Sequence, residues 1–380
     1  MLSSRPLLIM LLGLTCSLSS THGLADDLQN RVDAVIKPLM AKHAIPGMAV
    51  AVFADGSEHV FTYGEANKAE HQPVSRDTLF EIGSLSKTYT ATLVALASAE
   101  GKVDLTAPAS RYQPALGNTT LGQATLVELG TYSADCLPLQ FPDNVENDAQ
   151  ALVFLQQWQR KTGPGTQRCY SNPSLGLFGD LAARAQKLPF AQLMEESLLP
   201  KLGLKHTYLQ VPASAQGHYA QGYDAQQQPV RVSPGAFADE AYGIKTTIDD
   251  ALRYVRAQVQ PDQLTAPLKQ AITLTHQGYF QVGSMTQGLG WERYPAPVTL
   301  PTLLEGNGAG MVRQPHAVTR LTPASPADAG AWYNKTGSTN GFGAYIAFIP
   351  AKGLGIALLA NRNYPNEARV EAAYQILSGQ

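Results

Sequence analysis

The sequence predicts a fold of the α/β (α+β) class, in which one antiparallel sheet is flanked by terminal helices and a helical domain is inserted through the middle of the chain. Three observations predict it. Strand-like segments occur early in the chain, at 48–63, and again late, at 330–360. Amphipathic helical patterns lie outside both groups of strands, and mostly helical segments lie between them. Because helices and sheets must each bury an apolar face, elements from both ends are expected to pack as a sandwich.

The first 25 residues have the pattern of a secretory signal peptide. Arg5 provides a short positive start, and the apolar run at 7–16 is too short to span a bilayer. Small residues then lead to a cleavage point at Gly23 or Ala25. We therefore expect the mature chain to be exported from the cytoplasm. No later stretch approaches membrane length, so the mature chain is expected to work without a membrane.

The hydrophobic pattern defines the elements of the mature chain in order. Apolar residues at helical spacing predict a first helix from Leu28, with a kink at Pro38. Two strands and a buried, Ala- and Leu-rich helix follow, and then helices broken by Pro/Gly loops. The strand-like segments are 48–53, 59–63, 288–292, 330–337, 345–350 and 355–360, and the later helical segments are 88–99, 127–132, 148–158, 190–199, 249–259 and 366–377.

These elements divide the mature chain into two predicted domains. Residues 26–83 and 231–380 supply the sheet domain, and residues 84–230 form a mostly helical domain. The segment 206–242 has a mostly irregular pattern with short extended pieces. Long loops of this kind are uncommon in compact domains and often form walls of binding sites. We therefore expect this loop to border a functional site.

Composition excludes some functions and leaves one question open. With 44% hydrophobic residues, 15% charged residues and a formal net charge of -2, the chain is globular and lacks the basic surface of nucleic-acid-binding proteins. The eight histidines show no spacing typical of a zinc site, so no metal is expected. Cys16 leaves with the signal peptide. In an oxidising compartment the remaining Cys136 and Cys169 are either a disulfide or two separate buried thiols.

The stretch Gly83-Ser84-Leu85-Ser86-Lys87 is the candidate centre of the chemistry. It opens the buried helix, and residues three apart in a helix are neighbours on one face, so Ser84 and Lys87 are expected to meet. A serine beside an amine becomes a nucleophile if the amine is neutral or another base takes the proton. The pattern alone also fits a helix cap followed by a solvated lysine. Its meaning therefore depends on the rest of the chain.

Two later motifs strengthen the prediction that Ser84 is a nucleophile. Tyr170-Ser171-Asn172 follows a Gly-Pro-Gly loop at the start of a helix, and Lys335-Thr336-Gly337 ends a strand. Each has an ordinary alternative: a packed tyrosine, a helix cap, a solvated strand lysine. Ser-x-x-Lys, Tyr-x-Asn and Lys-Thr-Gly in this order are typical of penicillin-recognising serine enzymes, some of which carry Ser-Asp-Asn in the middle place.

The whole mature chain resembles the class C β-lactamases, the cephalosporinases of Gram-negative periplasms. The resemblance implies a β-lactamase/transpeptidase-like fold, a periplasmic monomer, no cofactor, and a small-molecule β-lactam as the partner. It also implies hydrolysis of β-lactam antibiotics, with cephalosporins favoured, through an acyl-enzyme on Ser84. The matching stretches are 45–52, 80–88, 137–143, 167–179, 240–246, 287–292, 334–345 and 361–369.

The resemblance implies a role for each catalytic candidate. Ser84 attacks the β-lactam carbonyl, and Lys87 and Tyr170 share the work of general base. Lys335 supplies positive charge that favours the ionised form of Tyr170 and attracts the substrate carboxylate. The family's oxyanion hole implies that the backbone N–H groups of Ser84 and Ser338 stabilise the developing negative charge.

Substrate binding is implied at further positions. Asn172 orients Lys87 and, with Gln140, holds the acylamide side chain of the substrate. Tyr242 lines the pocket for that side chain, and 303–315 form its second wall. The ring carboxylate is expected near Thr336, Asn363, Asn366 and Arg369, of which Arg369 has a purely structural role as its alternative.

The chain departs from the family's usual pattern at its two cysteines. Cys169 directly precedes Tyr170, and Cys136 lies four residues before Gln140. A disulfide between them would tie the Gln140 loop to the Tyr170 loop. Two free thiols in the native mature protein would exclude it.

Three other functions compete with the lactamase. A periplasmic D-Ala-D-Ala peptidase shares the nucleophile and the tyrosine motif, but related peptidases often carry His-Thr-Gly where this chain has Lys335-Thr-Gly. Related serine esterases usually lack the third motif. A penicillin sensor that is acylated without turnover is normally fused to a membrane segment. D-Ala release and turnover of the acyl-enzyme distinguish these alternatives.

Overall fold

The computed structural model describes residues 20–159 and 161–379, with the side chains of 20–26 excepted. Most of the predicted signal peptide, 1–19, lies outside the described residues. The rest of it, 20–25, falls in the helix Ser20–His43, which begins earlier than the predicted start at Leu28. Across the described residues, no helix is both long enough and apolar enough to cross a membrane.

A ten-stranded antiparallel sheet forms the centre of the described chain. Its strand order is β14-β10-β11-β12-β15-β16-β17-β1-β2-β3, with labels in chain order. The strands of the molecule are β1 (Gly47–Ala54), β2 (Ser57–Asn67), β3 (Gln72–Pro73), β4 (Phe80–Glu81), β5 (Gln167–Arg168), β6 (Thr207–Tyr208), β7 (Gly222–Tyr223), β8 (Pro229–Val230), β9 (Lys245–Thr246), β10 (Gly278–Val282), β11 (Met285–Gln287), β12 (Glu292–Tyr294), β13 (His316–Ala317), β14 (Thr319–Ser325), β15 (Trp332–Ser338), β16 (Gly343–Ile349) and β17 (Leu354–Ala360).

Helices pack against both faces of the sheet. The α-helices are α1 (Ser20–His43), α2 (Ser86–Ala99), α3 (Leu126–Gly130), α4 (Asp148–Gln156), α5 (Asn172–Gln186), α6 (Phe190–Gln192), α7 (Leu199–Lys201), α8 (Ala238–Ala241), α9 (Ile248–Val259), α10 (Ala266–His276), α11 (Leu300–Asn307), α12 (Ala309–Arg313) and α13 (Asn366–Ser378).

Strand β1 shows why the sheet is buried on both faces. Successive side chains of a strand point to opposite faces. Met48 and Val50 belong to the apolar cluster of the terminal helices α1 and α13. Ala49 and Ala51 belong to the cluster of α2 and α9 on the other face. A strand that is covered on both faces has a continuous apolar sequence, and this run of residues predicted β1.

The predicted fold class is confirmed. The first and last parts of the chain meet where β1 pairs with both β2 and β17, with Val50 opposite Phe61 on one side and Leu358 on the other. A third apolar cluster, which includes residues of α2 to α5, lies in the predicted helical domain. The division into domains at 83, 84, 230 and 231 stays a prediction, because α2 contributes side chains to both clusters.

The structure differs from the sequence-based elements at several further places. The segment 288–291 is a turn, and the strand begins only at Glu292. The predicted helix 190–199 is interrupted by a π-helical turn at Leu193–Leu198. Helix α10 and strands β10, β11 and β14 had no sequence prediction. Strands β10 and β11 have only 5 and 3 residues, and β14 is largely exposed, so their hydrophobic patterns are weak.

Candidate active site

Ser84 lies on a 3₁₀ turn, Gly83–Leu85, that leads directly into α2. The end of β15 passes so close to this turn that a Cβ atom on Gly83 would overlap the backbone of Ser338. A Cβ atom on Gly337 would likewise overlap the carbonyl oxygen of Ile82. Glycine at these two positions therefore allows the Ser84 turn and the Lys335–Ser338 segment to meet, and Gly83 also accommodates a φ of +50°.

Lys87 is placed one turn beyond Ser84 on the same face, as the spacing predicted. Its Nζ atom donates to Ser84 Oγ at 2.9 Å and to the carbonyl oxygen of Ala241 at 2.7 Å. Burial lowers the pKa of Lys87 to about 8; the nearby Tyr170 opposes this shift and the positive charge of Lys335 adds to it. About a tenth of the amine is therefore neutral at pH 7, far more than for an ordinary lysine, and this form can accept a proton from Ser84.

Tyr170 lies between the two buried lysines. The Nζ atoms of Lys87 and Lys335 are 5.4 Å and 5.0 Å from the centroid of its ring. Burial raises the pKa of Tyr170, but the positive charges of Lys335 and Lys87 and a hydrogen bond with Ser84 outweigh it and bring the pKa to about 8. The phenol is therefore far more acidic than an ordinary tyrosine, whose pKa is about 10.

Lys335 is buried near the end of β15, only 2% exposed. Its Nζ atom donates to the carbonyl oxygen of Thr336 at 2.9 Å. Among the described residues, neither Lys335 nor Lys87 forms an ion pair with a carboxylate. Their charges therefore act on Tyr170 rather than being matched by a fixed anion.

Asn172 begins helix α5, which is capped by the Ser171 side chain. Its Nδ2 atom donates to Gln140 Oε1 at 2.8 Å. Its Oδ1 atom is buried without a hydrogen-bond partner in the described structure. The resemblance predicted that Asn172 orients Lys87, but no hydrogen bond joins the two in the described structure: Lys87 donates to Ser84 and to Ala241, and Asn172 donates to Gln140.

A cavity of about 200 Å³ opens in front of Ser84. One wall comes from the end of α11 and from α12, whose lining residues fall within the predicted second wall at 303–315. Tyr242 is half-buried on the long loop and is not among the lining residues, although the resemblance places it in the pocket. The residues that line the cavity are Ser84, Leu139, Gln140, Tyr170, Asn172, Glu292, Gly306, Asn307, Met311, Val312, Lys335, Thr336, Gly337, Ser338 and Asn366.

Arg369 stabilises the strand that carries Lys335 and Ser338. It is fully buried and does not line the cavity. Its guanidinium group donates to the carbonyl oxygen of Gly337 at 2.6 Å, to Ser338 Oγ at 2.9 Å and to Asn363 Oδ1 at 2.7 Å. Burial lowers the pKa of Arg369 to about 10. These contacts favour the structural alternative for Arg369, and they hold Asn363 behind Ser338.

A buried polar network behind Tyr170 was not predicted from the sequence. Arg168 and Glu292 form an ion pair at 3.1 Å, and their side chains are 1% and 6% exposed. Arg168 also donates to Gln287 Oε1 at 2.7 Å and to the carbonyl oxygen of Met311 at 2.9 Å. Asn334 Nδ2 donates to Glu292 Oε2 at 3.2 Å. The network therefore joins the strand before Tyr170 to β12, β15 and the wall of the cavity.

The two cysteines are joined by a disulfide in the structure. The Cα atoms of Cys136 and Cys169 are 4.8 Å apart, and the residues are separated by 33 positions in the sequence. Of the two alternatives that the sequence left open, the structure has the bonded one. The bond lies between the loop of Gln140 and the strand that leads to Tyr170.

Comparison with known proteins identifies relatives over nearly the whole chain. The family model described as "Beta-lactamase" matches residues 32–380. A β-lactamase of Pseudomonas fluorescens is 52% identical over 93% of this chain and 99% of its own length. A β-lactamase of Escherichia coli K12 is 44% identical, covering 94% of this chain and 95% of that protein.

Solved structures show the same likeness in three dimensions. A class C β-lactamase in complex with cefoxitin superposes with a TM-score of 0.91 at 44% identity, covering 94% of this chain and 99% of the other. A β-lactamase/D-alanine carboxypeptidase from Pseudomonas syringae superposes with a TM-score of 0.90 at 46% identity, covering 92% and 98%.

Proposed function

The chain belongs to the β-lactamase family, and from that premise we propose that it is a class C serine enzyme that hydrolyses β-lactam antibiotics, cephalosporins above penicillins, through an acyl-enzyme on Ser84. One observation carries the proposal. The Ser84 hydroxyl accepts a hydrogen bond from a buried lysine whose pKa is lowered to about 8, and it lies beside a tyrosine whose pKa is also about 8. A serine between two such groups can lose its proton near neutral pH.

In the acylation step, Ser84 Oγ forms a bond to the β-lactam carbonyl carbon. Its proton passes to neutral Lys87 or to ionised Tyr170. The ring C–N bond then breaks, and the ring nitrogen takes a proton from the same pair. The backbone N–H groups of Ser84 and Ser338, on segments that approach closely, are the proposed donors to the carbonyl oxygen as its charge develops.

In the deacylation step, a water molecule attacks the ester carbonyl carbon. We assign its activation to Tyr170 or to the substrate's own ring nitrogen. The bond between the carbonyl carbon and Ser84 Oγ breaks, the oxygen regains a proton, and the product leaves as a ring-opened acid.

Substrate recognition divides between the two sides of the cavity. Lys335 and Thr336 lie on β15, and Asn366 opens helix α13 beside the cavity, so these three groups are the proposed partners of the ring carboxylate. Gln140 and Asn172, on the opposite side, are the proposed partners of the acylamide group. The unpartnered Oδ1 atom of Asn172 offers an acceptor for the amide N–H.

The test is a steady-state assay of the purified mature protein with a cephalosporin and a penicillin, in parallel with an assay for D-Ala release from a cell-wall peptide. Fast multiple turnover of the lactams is expected. A stoichiometric adduct without turnover would instead identify a sensor, and D-Ala release without lactam turnover would identify a peptidase. The P. syringae structure, described as both a β-lactamase and a D-alanine carboxypeptidase, is the reason to measure both activities.

The proposal also includes the cellular location and the oligomeric state of the enzyme. The predicted signal peptide supports a periplasmic enzyme, which would intercept antibiotics before they reach the cell wall and so confer resistance. Family resemblance supports a monomer without cofactor. Cell fractionation and light scattering test the location and the monomer. Recovery of the protein in the cytoplasmic fraction would exclude the periplasmic location.

A further inference from the structure

The disulfide is one end of a series of contacts between two chain segments, 136–140 and 169–172. Gln140 and Asn172, the proposed partners of the acylamide group, lie at the other end. The segments therefore run side by side from the covalent bond to the substrate site. Three hydrogen bonds follow in order from the disulfide. Ser171 Oγ donates to the carbonyl oxygen of Pro138 at 2.7 Å, the backbone N–H of Asn172 donates to the carbonyl oxygen of Leu139 at 2.9 Å, and the side-chain Nδ2 of Asn172 donates to Gln140 Oε1 at 2.8 Å.

The two segments differ in how firmly they are held by packing. Cys169, Tyr170 and Asn172 are each 7% exposed. On the other segment, Leu139 is 37% exposed, and Gln140 is also exposed. Apolar burial therefore fixes the segment 169–172 along its length. The segment 136–140 is anchored by Leu137, which is 3% exposed, and by Phe141 just beyond it, whose ring packs against Phe154 and Phe237, so only its tip at Leu139 and Gln140 depends on the cross-links. The disulfide is the covalent member of those cross-links.

Cys136 occupies a backbone conformation that disfavours a side chain. Its φ angle is +50°, in the left-handed region where glycine is the usual residue. Such a residue persists where the surrounding structure holds it in place. Glycine would satisfy the backbone at this position, so the contribution that is specific to cysteine is the bond to Cys169.

We propose that Cys136 and Cys169 are positioning residues for substrate recognition: their disulfide holds Gln140 against Asn172 and so sets the preference for substrates that carry an acylamide side chain. This inference rests on the proposed lactamase function. Neither cysteine touches the substrate or the reacting atoms. Loss of the bond should therefore weaken recognition of the side chain while the chemistry at Ser84 continues.

Two double variants separate the bond from the backbone strain. Cys136→Ser with Cys169→Ser removes the bond and keeps a side chain at the positive φ angle. Cys136→Gly with Cys169→Ser removes the bond and relieves the strain. Each is compared with the untreated mature protein, in which titration with a thiol reagent is expected to find neither cysteine free. Folding is checked by thermal melting, and activity is assayed well below the melting transition.

The substrates form a matched pair, a cephalosporin with an acylamide side chain and the same nucleus with a free 7-amino group. In both variants we expect kcat/KM for the acylamide substrate to fall about fivefold, mainly through KM, the size of effect that one displaced hydrogen-bonding group produces. For the 7-amino substrate we expect a change of less than about twofold. Reduction of the native protein should produce the same selective loss, and reoxidation should reverse it.

Equal losses on both substrates, or no loss on either, would overturn the inference, because the bond would then be only structural or without effect. Free thiols in the untreated protein would overturn it as well. If the unmodified enzyme opens the ring of neither substrate, the proposed function fails and the inference falls with it. Hydrolysis of both substrates by the unmodified enzyme keeps these failures distinct.

Discussion

Two groups of buried charged side chains lie next to each other in this molecule, and they differ in how their charges are matched. In the network of Arg168 and Glu292, the cation has a carboxylate partner at 3.1 Å and donates further hydrogen bonds. In the group around Ser84, the cations Lys87 and Lys335 have no carboxylate partner among the described residues and act on Tyr170 instead. Arg168 lies 5.5 Å from the Tyr170 ring, so the two groups share one environment.

The difference shows how a nearby opposite charge changes the behaviour of a buried charged group. A buried charge that is paired and fully hydrogen-bonded stays ionised and fixes the geometry around it. A buried cation without an anion favours proton loss, both from itself and from a nearby acid. The first group therefore holds the site in shape, and the second can exchange protons. Substitutions in the two groups separate these two contributions.

Removal of the nucleophile is expected to have the largest effect on turnover. Ser84→Ala should lower kcat for a cephalosporin by about 10⁴-fold or more, because no other group can form the acyl-enzyme. Since the substitution deletes only a small hydroxyl group, the far-UV circular dichroism spectrum and melting temperature should stay unchanged. Hydrolysis at the wild-type rate would mean that the nucleophile is assigned to the wrong residue.

Two neighbouring tyrosines offer a matched test of proton transfer. The ring centroids of Tyr170 and Tyr132 are 4.7 Å apart, and both side chains are buried. The pKa of Tyr132 is raised well above its usual value by burial, and the Tyr170 charge adds to the shift. Tyr170→Phe should lower kcat about 10²- to 10³-fold, as expected for loss of a general base. Tyr132→Phe should change kcat by less than about twofold.

The comparison is made by steady-state kinetics on folded protein. Equal effects of the two substitutions would show that the acidity of Tyr170 has no part in the reaction.

The matched network is expected to control stability. Arg168→Met leaves Glu292 buried without its partner and should lower the free energy of unfolding by about 3 kcal/mol or more. The control is the exposed pair of Arg76 and Asp249, at 2.8 Å, where Arg76→Met should cost less than about 1 kcal/mol. Urea denaturation measures both. Equal costs at the two sites would contradict the structural role of the buried pair.

A smaller effect is expected on the pH dependence. Proton acceptance by Tyr170 and Lys87 requires their deprotonated forms, so kcat/KM should rise with pH and level off above about 8. Glu292 raises the pKa of Tyr170. Glu292→Gln should therefore lower that pKa and move the rising limb of the profile toward lower pH by about half a unit. A shift toward higher pH would contradict the assigned sign.

Much of the fold was predictable because its central strands carry strong local signals. The apolar runs at 48–53 and 355–360 predicted β1 and β17, whose two faces are both covered by helices. By contrast, β14 is mostly exposed and pairs with β10 across a register shift. A strand that is stabilised mainly by pairing with a distant segment has only a weak hydrophobic pattern in its own sequence.

The site divides in the same way. The spacing of Ser84 and Lys87 follows from helix geometry, and the three motifs predicted which elements would meet. The ion pair of Arg168 and Glu292 joins residues 124 positions apart, with no periodicity to reveal it. Sequence likewise predicted that Asn172 would lie at the site, but the hydrogen bonds from Asn172 to Gln140 and from Lys87 to the carbonyl group of Ala241 depend on how distant parts of the chain meet.

The acidity that the unmatched buried lysines give to Tyr170 is tested most directly by NMR titration of the mature protein labelled with ¹³C at the tyrosine ring carbon that bears the hydroxyl group. Tyr170→Phe assigns the resonance. We expect Tyr170 to titrate with a pKa of about 8, while Tyr132 remains protonated beyond pH 10. Titration of Tyr170 at or above the ordinary tyrosine value of about 10 would show that the lysines do not make it acidic.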